Sequence, residues 1–347
     1  MGRGEAPGRI NLIGEHTDYN EGFVLPAVLP RRVSVDVRAR NDDLVRATSE
    51  GFPSIAFSLR DEDRAGGWAD HVRGVTWALR NAAHKLRGYE ATISTRLPAG
   101  AGLGSSAALE VALLRALRDE FALAIDDRAL AMLAHRSESE FVGARVGTMD
   151  QLAASLGREG EALFIDTRTN EIERVPLPAE LGLIVIDSGI AHQHATGGYN
   201  DRRNECEDAA RHLGLRALRD ATEADVARLA VTAPHLAARA RHVVTENARV
   251  RWFLEALRRD DLARCGQLLD ASHRSLRDDF AVSIPEIDAL AELLRAQPGV
   301  LGARIVGGGF GGAVLAIARP DVTVTAARTA ADAYRKRIGR EARVVIS

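Results

Sequence analysis

The sequence has almost no lysine. Lys85 and Lys336 are the only two in 347 residues, and arginine supplies the other cations. A phosphate-loop lysine or a Schiff-base lysine would have to be one of these, and neither sits in a suitable motif. Cysteine is equally scarce. Cys206 and Cys265 are two isolated thiols, which make neither a disulfide framework nor a zinc site and fit a reducing compartment. No apolar run is long enough to span a bilayer, and the N-terminus lacks the apolar stretch of a signal peptide. The expectation is a cytoplasmic protein with no membrane partner. A large excess of one charge is also missing: the net charge is -2, so nothing points to nucleic acid as an electrostatic partner.

What is present is ordinary for a globular chain, with 46% hydrophobic and 27% charged residues. The length suits two domains or one large one. Residues 32–38 alternate apolar and polar side chains and predict a half-buried strand, as do residues 90–97. Between them, Val72, Val75, Leu79 and Ala83 recur at helical spacing over 69–86. Residues 105–124 form a strong helix candidate rich in Ala, Leu and Glu, and 128–141 a second, ended near Gly143. The continuous apolar run 181–187 predicts a buried strand and marks where a second domain opens, giving domains 1–180 and 181–347. From 199 to 294 the pattern is mostly helical, broken at Pro234 and Pro285. Strand, glycine loop and strand follow over 303–317, then a helix over 326–337 and a short strand over 342–346. The class is α+β with segregated helices.

Several segments carry chemistry. Residues 6–26 place Arg9, Glu15, His16 and Asp18 beside glycines, in a stretch too polar for a core strand and too glycine-rich for a stable helix. Such a loop suits a polyhydroxylated ligand, because a carboxylate accepts two hydroxyl hydrogen bonds at once. The alternative is a solvated turn whose Asp and Asn cap their neighbours. Pro98-Ala-Gly-Ala-Gly-Leu-Gly-Ser-Ser-Ala-Ala108 joins a strand to the long helix. Glycines there admit close backbone approach, and the helix N-terminus offers unpaired N–H groups, a combination that holds phosphate. Ser105 and Ser106 can cap the helix or offer oxygen to a cation. An ordinary cap with flexible glycines is the plainer reading. Gly307-Gly-Gly-Phe-Gly-Gly312 contains Gly-x-Gly-x-x-Gly, but a strand rather than a helix follows it, which disfavours a dinucleotide fold. Asp150 follows a helix and could simply cap the next one; Glu138 is a lone helical Glu of the kind usually solvated. His192 and His194 lack a third ligand and read as polar loop.

Three of these segments, 6–26, 98–108 and 307–312, stand in the order of the three motifs of the GHMP small-molecule kinases. The first, with Gly-Arg-Ile-Asn-Leu-Ile-Gly-Glu-His-Thr-Asp-Tyr-Asn, resembles the galactokinase signature within that family. So do residues 68–75, 147–151, 199–203, 245–249 and 277–280, so the resemblance runs from Ala6 almost to the end. It implies a two-lobed α+β GHMP kinase fold with the active site in the cleft between the lobes. The implied activity is transfer of the ATP γ-phosphoryl group to the anomeric hydroxyl of galactose.

Carried over by position, Asp150 is the catalytic aspartate, and Arg9 keeps it ionised and stabilises developing charge. Glu15, His16, Asp18 and Tyr199 match sugar-binding positions, with Gly147 on the same wall. Pro98, Gly100, Gly102, Leu103, Gly104, Ser105, Ser106 and Ala107 would cradle the phosphates of ATP. Ser105 or Ser106, with Glu138, would bind Mg²⁺. A monomer is expected. The chain departs from the family at Gly104, which replaces the first of three serines, at Val146 in place of Cys, and at Gly197-Gly198 in place of Ser-Glu. The last two border the sugar pocket, which leaves L-arabinose or N-acetylgalactosamine as alternative sugars. A non-catalytic sugar and ATP sensor is the reading from another class; Ser105, Ser106, Asp150 and Arg9 argue against it.

Overall fold

The computed structural model describes residues 1–61, 63–97, 102–190 and 195–347, without the side chains of 195–197. In chain order the elements open with β1 (Gly2–Asn11), β2 (Phe23–Val24), β3 (Pro26–Ala39), β4 (Leu44–Ser49) and β5 (Ile55–Ser58). Then come α1 (Trp68–Asn81), β6 (Tyr89–Thr95), α2 (Ser105–Glu120), α3 (Asp127–Arg136) and α4 (Met149–Leu156). Strands β7 (Glu161–Asp166), β8 (Glu171–Pro176) and β9 (Gly182–Asp187) lead into α5 (Ala195–Leu213), α6 (Glu223–Thr232), α7 (Pro234–Arg258), α8 (Leu262–Asp278) and α9 (Pro285–Arg295). The chain ends with β10 (Val300–Val306), β11 (Ala313–Ala318), α10 (Thr323–Ile338) and β12 (Arg343–Ile346). The described residues divide into two compact units. One takes those of Met1–Arg9, Ala27–Ala99 and Leu103–Glu159, the other those of Ile10–Pro26, Gly100–Gly102 and Gly160–Ser347.

In the first unit β3 and β6 run antiparallel, β4 lies parallel to β6 and β5 closes the edge against β4. The predicted alternation in β3 is realised: Val33, Val35 and Val37 are buried while Ser34, Asp36 and Arg38 are not. Val72, Val75 and Leu79 of α1 are buried as their spacing predicts. The helix stops at Asn81 rather than 86, because Ala83 takes a left-handed φ of 61°. After α3 the backbone widens into a π-helical turn over Ser137–Val142, ended by Gly143 with φ 84°.

The opening segment corrects an expectation. Residues 6–11 are not polar loop but the buried half of β1, paired with β3. Partners make the burial tolerable: Arg9 N–H donates to the Leu103 carbonyl at 3.0 Å and Asn11 Oδ1 accepts from Leu25 N at 3.2 Å, while Asn11 Nδ2 has no partner among the described residues. Glycine near the start of β1 has a packing reason. A Cβ on Gly4 would stand 2.1 Å from the Ala112 carbonyl oxygen, so the strand lies directly on α2.

The second unit holds an all-antiparallel sheet in the order β10-β11-β9-β12, and β7 pairs with both β2 and β8. The glycine run 307–312 is the connection of the β10–β11 hairpin, not the start of a helix. Ile184, Ile186, Leu236, Leu276, Phe280 and Ile305 belong to one core built from sheet and helices. Pro234 and Pro285 open α7 and α9 at their first turns, where a missing N–H costs nothing.

The close contact of β1 with α2 predicts a graded response to alanine. Gly4→Ala should lower stability by about 3 kcal/mol through overpacking. Gly51→Ala, with φ 78° and no atom within 4 Å of the new Cβ, should cost about 1 kcal/mol. Urea midpoints of the two variants check this; equal shifts would contradict the packing explanation.

Candidate active site

The residues singled out from sequence fall into two groups, one in each unit. In the first unit Arg9 and Asp150 form a two-pronged ion pair. Arg9 Nε donates to Asp150 Oδ1 at 2.7 Å and Nη2 to Oδ2 at 2.6 Å. Arg9 is buried and the Asp150 side chain keeps 26% of its surface. A planar fork matched to both oxygens fixes the carboxylate's plane as well as its position. Asp150 is the second residue of α4, whose cap position belongs to Thr148, so capping does not explain it. Gly147, in the segment before α4, is half-buried.

Gly104 occupies the N-cap of α2 with φ 69°, and a Cβ there would lie 3.0 Å from Arg9 Cγ. Conformation and proximity both require glycine, which accounts for the missing serine at this point. Neither Ser105 nor Ser106 caps the helix: no side chain does. Both are half-buried, and no side chain among the described residues caps the first N–H groups of this sixteen-residue helix, so they could serve a ligand. The Leu103 side chain and Ala107 go into the core, so only their backbones could serve a phosphate. Pro98 and Gly100 lie outside the described residues, as do His192 and His194.

Glu138 is not solvated. It sits buried in the π-helical turn, and Gln151 Nε2 donates to its Oε2 at 2.5 Å. Burial, then the neighbouring Glu110, push its carboxyl up to about 8. Glu110 is wholly buried; its Oε1 stands 2.8 Å from His71 Nδ1 and accepts from Ser137 Oγ at 3.4 Å. Among the described residues, no three His, Cys, Asp or Glu side chains cluster to hold a metal by themselves. That suits Mg²⁺, which takes one or two protein ligands and completes its shell with water and phosphate. The donor chemistry fits too: Glu138 is disfavoured as an anion until a cation arrives, and the buried Gln151 Oε1 beside it has no partner among the described residues.

In the second unit the loop after β1 carries Glu15 and His16, both buried, and Asp18 at the start of a 3-10 turn. Glu15 Oε1 accepts from Gly307 N at 2.9 Å and from Arg304 Nη2 at 3.2 Å. His16 has a left-handed φ of 63° and its Nδ1 lies 2.9 Å from the Tyr19 hydroxyl. Its ring packs at 4.6 Å from Phe280 and 5.5 Å from Tyr199, which stands in the first turns of α5. Burial, then His242, lower its pKa to about 3, so it is neutral at physiological pH. The loop is hung on α7: Gly14 N donates to Glu246 Oε1 at 3.0 Å, Phe23 N to Asn247 Oδ1 at 2.9 Å, and His242 Nε2 lies 3.0 Å from the Glu15 carbonyl. Burial alone would raise Glu246, but Arg249, His242 and Arg304 outweigh it and lower it to about 2. Gly198 is tight: a Cβ would meet the Phe310 ring at 2.7 Å.

These props were not singled out by role from the sequence. Residues 245–249 stood out only as family-like, and Arg304 only as part of a strand. Their partners lie hundreds of residues away, as with Arg304 and Glu15, separated by 289 positions.

Comparison with known proteins identifies the family. The family described as GHMP kinases N terminal domain matches residues 70–158, GHMP kinases C terminal matches 253–336, and the galactokinase galactose-binding signature matches 3–39. The mevalonate kinase of L. major, solved with R-mevalonate, superposes with a TM-score of 0.68 at 20% identity over 96% of this chain and 92% of that one, so it shares the fold. The class is therefore the GHMP kinases. Within it, the galactokinase of Chloroflexus aurantiacus is 44% identical over 97% of this chain and 88% of its own. That of Streptomyces coelicolor is 44% identical over 90% and 83%. The Lactococcus lactis galactokinase, solved in complex with galactose, superposes with a TM-score of 0.95 at 32% identity, covering 99% of this chain and 92% of that one. The chain belongs to the galactokinase family.

Glu138 yields a pH test. Its proton is held to about 8 when folded, against 4.5 ordinarily. Between those values the folded state binds more protons than the unfolded one, so the stabilisation it contributes is complete below 4.5 and is lost as pH rises through about 8. In metal-free buffer, Glu138→Gln should therefore gain stability relative to the parent as pH rises from 5 to 8, read from urea midpoints. A difference independent of pH would contradict the raised carboxyl.

Proposed function

We propose that this chain transfers the γ-phosphoryl group of ATP to the anomeric hydroxyl of α-D-galactose, giving galactose 1-phosphate and ADP. The observation that carries the reading is the Arg9–Asp150 fork, a partly exposed carboxylate held rigidly on a helix whose cap it does not serve. Asp150 accepts a hydrogen bond from the sugar 1-hydroxyl and aims its oxygen at the γ-phosphorus. As the new O–P bond forms and the bond to the ADP oxygen breaks, the hydroxyl proton passes to the carboxylate. Arg9 holds the aspartate's aim and offers positive charge beside the reacting oxygens. The uncapped N-terminus of α2 receives ATP phosphate through backbone N–H groups, which needs no lysine. Glu15, His16, Asp18 and Tyr199 supply acceptors, a neutral imidazole and an aromatic face to the sugar, and by the family resemblance Gly147 would line the same pocket. Glu138 with Ser105 or Ser106 would hold Mg²⁺. When bound, Mg²⁺ neutralises the charge of the transferring phosphoryl. The reading includes a monomeric enzyme, and a cytoplasmic one, the compartment alone being supported by two free, buried cysteines.

Phosphorylation of galactose, L-arabinose and N-acetylgalactosamine, followed by ³¹P NMR, tests the assignment. Galactose should give the highest kcat/KM and an anomeric phosphate. Faster turnover of another sugar would transfer the assignment to it, and binding without turnover would make the chain a sensor. Asp150→Asn should cut kcat about 10³-fold while ATP affinity stays within about twofold. Equal losses in binding and turnover would remove Asp150 from the chemistry.

A further inference from the structure

Arg304 is the largest fully buried side chain among the described residues. A guanidinium without solvent is costly unless every donor is used and its charge is answered. Here Nε donates to the Leu12 carbonyl and Nη1 to the Ile305 carbonyl, both at 2.9 Å. Nη2 donates to the Asn11 carbonyl and to Glu15 Oε1. Glu15 is the one carboxylate it bonds among the described residues. The two donors that reach Glu15, Arg304 Nη2 and Gly307 N, both land on Oε1, and no protein bond engages Oε2 among the described residues. One oxygen is thus anchored and the other is left for a ligand. The remaining Arg304 bonds grip the backbone at Asn11 and Leu12, where the chain enters the loop that bears Glu15 and His16.

We propose that Arg304 is a positioning residue for sugar recognition, which sets galactose affinity through Glu15 without touching the substrate. The proposal rests on Glu15 as a sugar ligand. A guanidinium placed only to fill the core would need acceptors, and backbone carbonyls alone would serve. Arg304 instead spends one donor on a carboxylate whose second oxygen is unbonded. Lysine could keep the charge but not reach carbonyls and carboxylate together, since it lacks the planar fork.

The test is a double-mutant cycle on the full chain, with galactose and ATP affinities by calorimetry and KM values for both substrates. Arg304→Met should weaken galactose binding about 30-fold with ATP affinity within about twofold, because it leaves a buried carboxylate unpaired. Glu15→Gln should weaken galactose binding comparably, and the double variant should be no weaker than the worse single one. Arg304→Lys should recover part of the loss, and it carries the same cycle if the Met variant does not fold. Additive losses, or equal loss of galactose and ATP affinity, would make Arg304 a structural residue and overturn the proposal. If Glu15→Gln leaves galactose binding unchanged, the sugar-ligand reading of Glu15 fails and takes the proposal with it. If Glu15→Gln loses affinity and the Arg304 variants do not, the proposal alone fails.

Discussion

The bidentate bond between Arg9 and Asp150 is the constraint around which the first unit is arranged. Both of its oxygens are held by one guanidinium, so Asp150 has a fixed plane on a fixed helix. That guanidinium is itself held by a strand whose N–H at residue 9 is tied to the Leu103 carbonyl. Gly104 follows at once, and any side chain there would press on the Arg9 stem. The start of α2 and the aspartate are therefore placed by one residue. In the proposed reaction an aspartate held this way would lose little entropy when a hydroxyl arrives, which would let a kinase without a phosphate-loop lysine rely on position and electrostatics.

The second unit uses the same chemistry. Glu15 is anchored by Arg304 and a backbone N–H of the glycine hairpin, while Glu246 is answered by Arg249. The loop of residues 12–22 has little regular structure, yet it is held by α7 through Glu246, Asn247 and His242. It keeps a left-handed backbone at His16, where the ring is packed on Phe280. Conformations of that kind persist when the surroundings over-determine them.

Much of this was legible in the chain. The alternation of Val33, Val35 and Val37 marked β3, the spacing of Val72, Val75 and Leu79 marked α1, and the apolar run after Gly312 separated a hairpin from a dinucleotide loop. The family motifs carried Arg9, Glu15 and Asp150 by position. What stayed hidden has one physical cause. A polar or ionisable group that is buried looks, in one dimension, like one on the surface. So β1 read as loop because Arg9 and Asn11 are polar, Glu138 read as solvated, and Arg304 read as an unremarked strand residue. Arg9 and Arg304 tolerate burial through partners distant in sequence and Glu138 by holding its proton, and a single sequence records neither.

The central claim is that Arg9 and Asp150 act as one unit in phosphoryl transfer. A double-mutant cycle on kcat, with galactose and ATP saturating, tests it most directly. Arg9→Met should cost about as much as Asp150→Asn, and the double variant should be no slower than the slower single one. Losses that multiply across the cycle would mean that the two residues act independently, and the ion pair would then be a feature of the fold rather than of the reaction.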